Sequence, residues 1–519
     1  MQLTFDDYKD KVKACWLGKN IGGTLGAPFE CIRGVYDITY YTHDLSLGVL
    51  PNDDLDLQLI WLNAAEKYGK SVNAQILGEY WISYITADWS EYGAGKNNMR
   101  YGLEPPISGW YHNHNKDSCG CFIRSEIWAC LAPGHPEIAV KYAYEDAICD
   151  HAEEGMYGEI FCAALQSAAF VETDRDRLVA LALSYIPKDC AIAQVVQTVF
   201  ACYREGKDWK EARKVVLQQY PGSFGMAGGY RDQEPEADVP MGSLGYDAPS
   251  NIGIMMIGWV YGEGDFSKSI CIAAGCCEDG DCTAGTLGAI LGILNGTGVI
   301  EERWLAPIGD EIKTISIDRT KACLRIPNTV TELTERVIAL MPVFLHGCYE
   351  FGCQGEFLFR PVDEVDNGMV RTGVFEWEAF ADNIAVPPVC VRRSSCLFDI
   401  CIQYEGDLSI QEGVSKSFQV KIINQLHSQQ WLECTLHLPE SWTAQPGRSM
   451  CVNLNQRHGG CSVTKASFSI VPHEIKESRY DILLEIRSVG RMTKMFLTLP
   501  LLVDKAMKEE EGTNNDFMH

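Results

Sequence analysis

The chain has 519 residues, 46% hydrophobic and 22% charged, an ordinary balance for a globular protein of two or three domains. Seventy acidic residues against 44 basic ones leave a net charge of −26, a field that repels nucleic acid backbones and anionic membranes. Neither is expected as a partner, and bulk acidity alone serves solubility; it becomes informative only where carboxylates cluster.

The opening Met1-Gln2-Leu3-Thr4-Phe5-Asp6-Asp7 has neither the basic stretch nor the apolar stretch of a signal peptide. No apolar run approaches the roughly 20 residues of a membrane helix. The 22 cysteines show no disulfide-framework spacing and no Cys-x-x-Cys zinc pair. A cytoplasmic protein with reduced, mostly buried thiols is the expectation.

From the N-terminus the apolar period is helical. Tyr8, Val12, Cys15 and Trp16 share one face, as do Leu57, Ile60, Trp61, Ala64 and Ala65, and then Ile160, Ala163, Ala164, Ser167 and Ala168. Glycines recur inside such segments at 18, 22, 23 and 26, and again at 285, 288 and 292. Each weakens an isolated helix by about 1 kcal/mol, so their repetition predicts close helix–helix or backbone–ligand approach. Residues 1–345 are expected to form an all-α domain. Residues 346–389 are an unassigned connector. After Pro387-Pro388 the period becomes two: Phe398, Ile400 and Ile402 alternate with Leu397, Asp399, Cys401 and Gln403, and Leu432, Cys434, Leu436 and Leu438 alternate with mostly polar neighbours. Residues 390–503 are expected to form an antiparallel β-sandwich. The polar stretch 504–519 is expected to be a flexible tail.

Two acidic clusters stand at predicted helix starts. Asn52-Asp53-Asp54-Leu55-Asp56 follows Pro51 and precedes the amphipathic pattern at Leu57. Glu278-Asp279-Gly280-Asp281-Cys282-Thr283 precedes the small-residue helix starting near Ala284. Capping explains one carboxylate in each cluster. It does not explain adjacent ones, because neighbouring carboxylates disfavour each other's ionised form unless a cation intervenes. Hard divalent ions take such oxygens, and two clusters meeting in space would build a two-metal site.

These residues resemble a known family. Asn52-Asp53-Asp54 is similar to the Thr-Asp-Asp of the ADP-ribosylglycohydrolases, relatives of dinitrogenase reductase-activating glycohydrolase, and Asp279-Gly280-Asp281-Cys282 is similar to the end of their Gly-Gly-Asp-Thr-Asp-Thr run. The run from Gly18 through Gly22-Gly23-Thr24-Leu25-Gly26-Ala27-Pro28-Phe29-Glu30 resembles the family's first helix and its closing glutamate. Ser118 to Arg124 resembles the Ser-Asn-Gly-Ala-Ala-Met-Arg segment, Asp150-His151 with Gly155 and Gly158 the Thr-His segment, and Asn251 to Phe266 the stretch before the second acidic run. The matches fall in the family's order over residues 11–305. Separately, Phe418 to Asn424 and Leu436 to Trp442 resemble immunoglobulin-like accessory domains of carbohydrate-active enzymes.

The resemblance implies a compact many-helix bundle that binds two magnesium or manganese ions and cleaves the glycosidic bond between ADP-ribose and an acceptor. It implies Asn52, Asp53, Asp54, Asp279, Asp281 and Cys282 at the metal positions. Glu30, on a mobile loop, and Asp53, Asp54 and Asp279 take the catalytic roles. Glu30, Ser118, Gly120 and His151 are implied at the substrate. Asn52 and Cys282 stand where the family has threonines, and a thiol is a poor ligand for magnesium. Weaker binding, a single ion or a preference for manganese are the open consequences. Two alternatives remain: hydrolysis of another ribosyl or glycosyl compound on the same fold, and a non-catalytic binding or structural relative. His112 and His114 match no family motif and are taken as loop residues. The glycine-rich run Ser223 to Arg231 is suited to line a pocket. The sequence carries no indication of oligomeric state.

Overall fold

The computed structural model describes residues 3–220, 238–239, 246–320, 324–345, 349–351, 357–359, 388–426, 428–456 and 462–503. The run Ser223 to Arg231, most of the connector and the tail from 504 lie outside the described residues. The chain divides into two compact units, Met1–Ile384 and Ala385–His519.

The first unit is helical. Its α-helices among the described residues are α1 (Phe5–Gly26), α2 (Asp53–Tyr68), α3 (Ala74–Tyr84), α4 (Ser90–Arg100), α5 (Ile107–Trp110), α6 (Glu126–Leu131), α7 (Pro136–Ala147), α8 (Glu153–Ala168), α9 (Arg175–Leu183), α10 (Ala191–Arg204), α11 (Trp209–Gln219), α12 (Ala248–Gly262), α13 (Phe266–Gly275), α14 (Gly280–Asn295), α15 (Glu302–Leu305) and α16 (Val330–Leu345). A short antiparallel pair, β1 (Tyr349–Phe351) with β2 (Phe357–Phe359), falls in the segment taken as a connector.

The recurrent glycines explain the centre of this unit. α14 is buried from Gly280 to Leu294, and α1 lies directly against it. A Cβ placed on Gly22 would collide with the Ala284 carbonyl and lie 2.6 Å from the Gly285 nitrogen; Gly18 meets Gly288 and Gly26 meets Gly280 in the same way. Only bare backbone permits this approach. It matters for function because α1 runs out into Glu30 while α14 begins at Asp279. The next residues are sewn together: the Cys31 amide donates to the Glu278 carbonyl at 2.9 Å and the Glu278 amide to the Ile32 carbonyl at 2.8 Å. The Glu278 carboxylate is fully buried in a two-pronged pair with Arg33, at 2.7 and 2.9 Å. Cys277 and Glu278 both take positive φ, 60° and 65°, a conformation L-residues adopt at a cost and one that turns Asp279 toward the helix start.

The second unit is two five-stranded sheets. One has the order β3 (Cys390–Ser394), β4 (Phe398–Tyr404), β6 (Lys416–Asn424), β10 (Ser462–Val471), β8 (Thr443–Gln445). The other has the order β5 (Ser409–Ile410), β12 (Lys494–Val503), β11 (Arg479–Ser488), β7 (Gln430–His437), β9 (Ser449–Leu454). Pairing is antiparallel except that β5 joins β12 parallel, which an expectation of purely antiparallel strands did not include. The period-two pattern becomes burial: Phe398, Ile400 and Ile402 point inward on β4, and Leu432, Cys434 and Leu436 on β7. The Tyr404 hydroxyl of the first sheet donates to the Pro500 carbonyl of the second at 3.2 Å.

Candidate active site

Three helix ends in the first unit converge. Asn52 caps α2, its Oδ1 accepting the Asp54 amide at 2.7 Å, so Asp53 and Asp54 fall in the first turn. Asp279 occupies the cap position of α14 without capping it, which leaves its carboxylate to point elsewhere, and Asp281 follows in the first turn. Asn52 Nδ2 reaches Asp281 Oδ2 at 3.2 Å and ties the two helix starts together. Asn52 therefore presents its amino group, not its oxygen, to Asp281.

Donor atoms of Glu30, Asp279 and Asp281 lie within 4.8 Å of one another, and the same holds for Asp54, Asp281 and Cys282, and for Cys119, Asp279 and Cys282. Except for Glu30, which is exposed, these residues are buried. Asp279 is 3% and Asp281 6% exposed, yet Oδ1 of each accepts no hydrogen bond. Burial raises the Asp279 carboxyl well above the usual range, and Cys119, Asp281 and Glu30 add to it. Asp281 is raised by burial, then by Glu30 and Asp54, and Asp53 by burial, then by Asp54 and Asp281. Unpartnered buried carboxylate oxygens that repel one another are the donor set a divalent cation satisfies. Deeper in, Lys19 lies 3.3 Å from Asp54 Oδ2 and 3.2 Å from Glu126 Oε1 and balances part of the charge.

The carboxylates open onto a cavity of about 280 Å³, whose wall includes Glu30, Asp53, Glu91, Gly120, Asp279 and Asp281. Trp89, half-exposed, and Tyr246 supply aromatic surface to it, and the Tyr92 hydroxyl donates to Asp53 Oδ2 at 3.2 Å.

Glu91 is a residue the sequence reading missed. It sits in the first turn of α4, in no acidic cluster and near no motif. Behind it runs a buried chain of polar groups. Ser118 Oγ lies 2.9 Å from His151 Nε2, and His151 Nδ1 lies 3.0 Å from Asp150 Oδ1. Asp150 is clamped by Arg124 at 2.6 and 3.1 Å, and Arg124 Nε donates to Asp146 at 2.9 Å. Burial pushes Asp150 up, but the Arg124 guanidinium and His151 outweigh it and hold the carboxyl below its usual range. Glu91 is raised by burial, an effect that His151 and a hydrogen bond from Ser118 partly offset. His151 Nε2 stands 4.0 Å from Glu91 Oε1. A side chain on Gly120 would run into Glu91 Oε1, so the glycine reserves the carboxylate's place.

The residues expected at the site thus separate. Glu30, Asp53, Asp279, Asp281, Cys282 and Gly120 line the cavity. Asp54 lies beneath it, in contact with Lys19. Ser118 and His151, 2% and 0% exposed, are not among the described lining residues and touch Glu91's surroundings from behind. The backbone just after Glu30 is tied to Glu278 through the Cys31 amide and the Ile32 carbonyl. His112 and His114 are exposed and neither lines the cavity; their neighbour Asn113 is the structural member of that loop, donating to the Asp150 and Gly109 carbonyls at 2.7 and 2.8 Å.

A helical bundle in which carboxylates from separate helix starts meet at one cavity defines a protein with a candidate acid-rich cation site. Residues 4–339 match the family model for ADP-ribosylglycohydrolase, and the chain belongs to the ADP-ribosylglycohydrolase family. Among solved structures, one described as an ADP-ribosylglycohydrolase-related protein complex aligns at 18% identity over 66% of this chain and 99% of that chain, with a TM-score of 0.42. No curated protein matches the chain. No helix among the described residues is long and apolar enough to cross a membrane.

Proposed function

We propose that the protein is a metal-dependent glycohydrolase that cleaves an ADP-ribosyl bond to nitrogen or oxygen, with two divalent ions of the magnesium or manganese class. The observation that carries this reading is the pair of buried, unpartnered oxygens on Asp279 and Asp281 facing Glu30 in a cavity of substrate-subsite size. Glu30, Asp279 and Asp281 would hold one ion; Asp54, Asp281 and Cys282 would hold the other. Such ions would offset the repulsion among the carboxylates and supply charge to orient ribose hydroxyls.

The chain's own residues activate the attacking water. Cleavage of a ribosyl bond passes through an oxocarbenium-like state, which a wall of carboxylates stabilises. Glu91, whose carboxyl burial raises above its ordinary value, accepts the proton of the water that attacks the anomeric carbon. Ser118 and His151 fix its orientation from behind and are positioning residues. The bonding pair leaves with the acceptor group, which takes up a proton from solvent at the open side of the cavity. Asp53 is held by Tyr92 toward the sugar. Trp89 and Tyr246 offer stacking surface for a base or sugar ring. The substrate is a small molecule or an ADP-ribosylated side chain. The cysteines among the described residues are free and mostly buried, which supports a cytoplasmic location.

A second reading rests on charge. The described lining residues include five carboxylates and no lysine or arginine. An uncharged ribosyl compound enters such a field more cheaply than a diphosphate. A hydrolysis screen separates the two: ADP-ribosyl-arginine, ADP-ribosyl-serine, free nucleosides and simple glycosides are each assayed with magnesium or manganese and with chelator. Turnover that chelator abolishes and that Asp279→Ala and Asp54→Ala remove is expected. Full activity in both variants refutes the reading.

A further inference from the structure

The fold brings two thiols into the acidic centre from distant parts of the chain. Cys119 lies on the segment before α6, pinned by its amide to the Tyr246 carbonyl at 2.7 Å. Cys282 lies in the first turn of α14. Cys119 Sγ is 2.7 Å from Asp279 Oδ2, and Cys282 Sγ is 3.4 Å from Asp54 Oδ1. Both sulfurs and an Asp279 oxygen lie within 4.8 Å of one another, and both residues line the cavity. The remaining Asp279 oxygen, Oδ1, is buried and accepts no hydrogen bond.

This donor set is unlike its neighbour. Glu30, Asp279 and Asp281 offer oxygen alone, which suits a hard ion. Cys119, Cys282 and Asp279 offer two sulfurs and one oxygen, which suits zinc and its borderline-soft relatives and suits magnesium poorly. Tetrahedral zinc with Zn–S bonds of about 2.3 Å sets its donors about 3.8 Å apart. The donors, all within 4.8 Å of one another, reach that spacing by shifts of about 1 Å, the Cys119–Asp279 pair opening from 2.7 Å. Asp279, common to both groups, would couple the two positions.

We infer that Cys119, Cys282 and Asp279 form a thiolate subsite for a zinc-class ion beside the carboxylate position of Glu30, Asp279 and Asp281, drawing Cys282 away from its grouping with Asp54 and Asp281. The inference rests on the reading above that the cavity holds divalent cations, and adds to it which kind of ion occupies the thiol side.

The test uses the full chain, stripped of metal and kept reduced, with cobalt(II) as the probe. Cobalt bound by thiolates shows an intense near-ultraviolet charge-transfer band; cobalt bound by carboxylates does not. The band is expected on titration, and zinc is expected to bleach it. Cys119→Ser and Cys282→Ser, near-isosteric changes whose folding is checked by thermal melting, are each expected to weaken the band, and the double variant to lose it. Cys119→Ser should still bind manganese, read by its paramagnetic resonance signal. Cobalt that binds by mass spectrometric count without the band overturns the thiolate subsite and leaves the carboxylate reading standing. A band of full intensity in both single variants, or one that survives in the double variant, overturns the assignment to these cysteines. A chain that binds neither cobalt nor manganese overturns the subsite and the metal-dependent reading together.

Discussion

Gly22→Ala tests whether the closeness of α1 and α14 is what assembles the site. The added Cβ would lie 2.6 Å from the Gly285 nitrogen and closer still to the Ala284 carbonyl, against about 3.4 Å for ordinary contact. The obstacle is backbone on both sides, so no side chain can swing away. The helices must part by about 0.8 Å or more, a strain that overpacking data put at about 1–3 kcal/mol. For a unit of this size, Met1–Ile384, that corresponds to a fall in Tm of about 1–4 °C. Because α1 leads to Glu30 and α14 begins at Asp279, the same displacement should open the carboxylate group and weaken manganese binding. Gly298→Ala is the control: nothing lies within 4 Å of its added Cβ, and its backbone is not in the left-handed region. Differential scanning calorimetry and manganese titration of the two variants are the assays. Equal Tm and equal manganese affinity in Gly22→Ala and the parent would refute the argument.

Other perturbations read other parts of the site. Arg124→Leu leaves Asp146 and Asp150 buried without their cation and should cost about 3–5 kcal/mol, measured by denaturant melts; a loss under about 1 kcal/mol would contradict the pairing. His151→Ala removes a group that lowers the Glu91 carboxyl, so the acidic limb of kcat/KM should move to higher pH, and a limb that stays put would remove His151 from that role. Gly120→Ala should displace Glu91 and depress kcat more than it depresses Tm, a split that enzyme assay and calorimetry together resolve. Burial places Glu126 and Asp247 at about 7 in the folded chain, above their ordinary values of 4.5 and 3.8. The folded chain then binds more protons than the unfolded one between those limits. The stability these groups contribute is full below about pH 4 and is lost as pH rises through about 7. The metal-free protein should therefore show that downward slope in Tm through this window, and a flat profile would argue against buried protonated carboxyls.

Much of this was legible locally. Acidic residues at helix starts are visible from a single stretch of chain, because capping depends on the neighbours three or four residues away, and α2 and α14 begin where the clusters stand. Repeated glycines announce a close approach, and the period-two stretches announce strands, since both depend on backbone geometry within a few residues. The order of the family segments follows from sequence for the same reason.

What the tertiary structure decided depends on encounters between distant residues. Glu91 carries no local mark; it joins the cavity because α4 packs beside Asp53 and Gly120 leaves it room. Ser118 and His151 were expected at the substrate, yet helix packing buries them behind Glu91. Cys119 looks like an ordinary core thiol in sequence and Cys282 stands alone at an expected metal position; they become a pair only where two segments meet at Asp279. A net charge of −26 says how the surface meets solvent. Which few of those charges are desolvated, and so drawn to a cation, is a matter of burial, and burial is a property of the assembled fold.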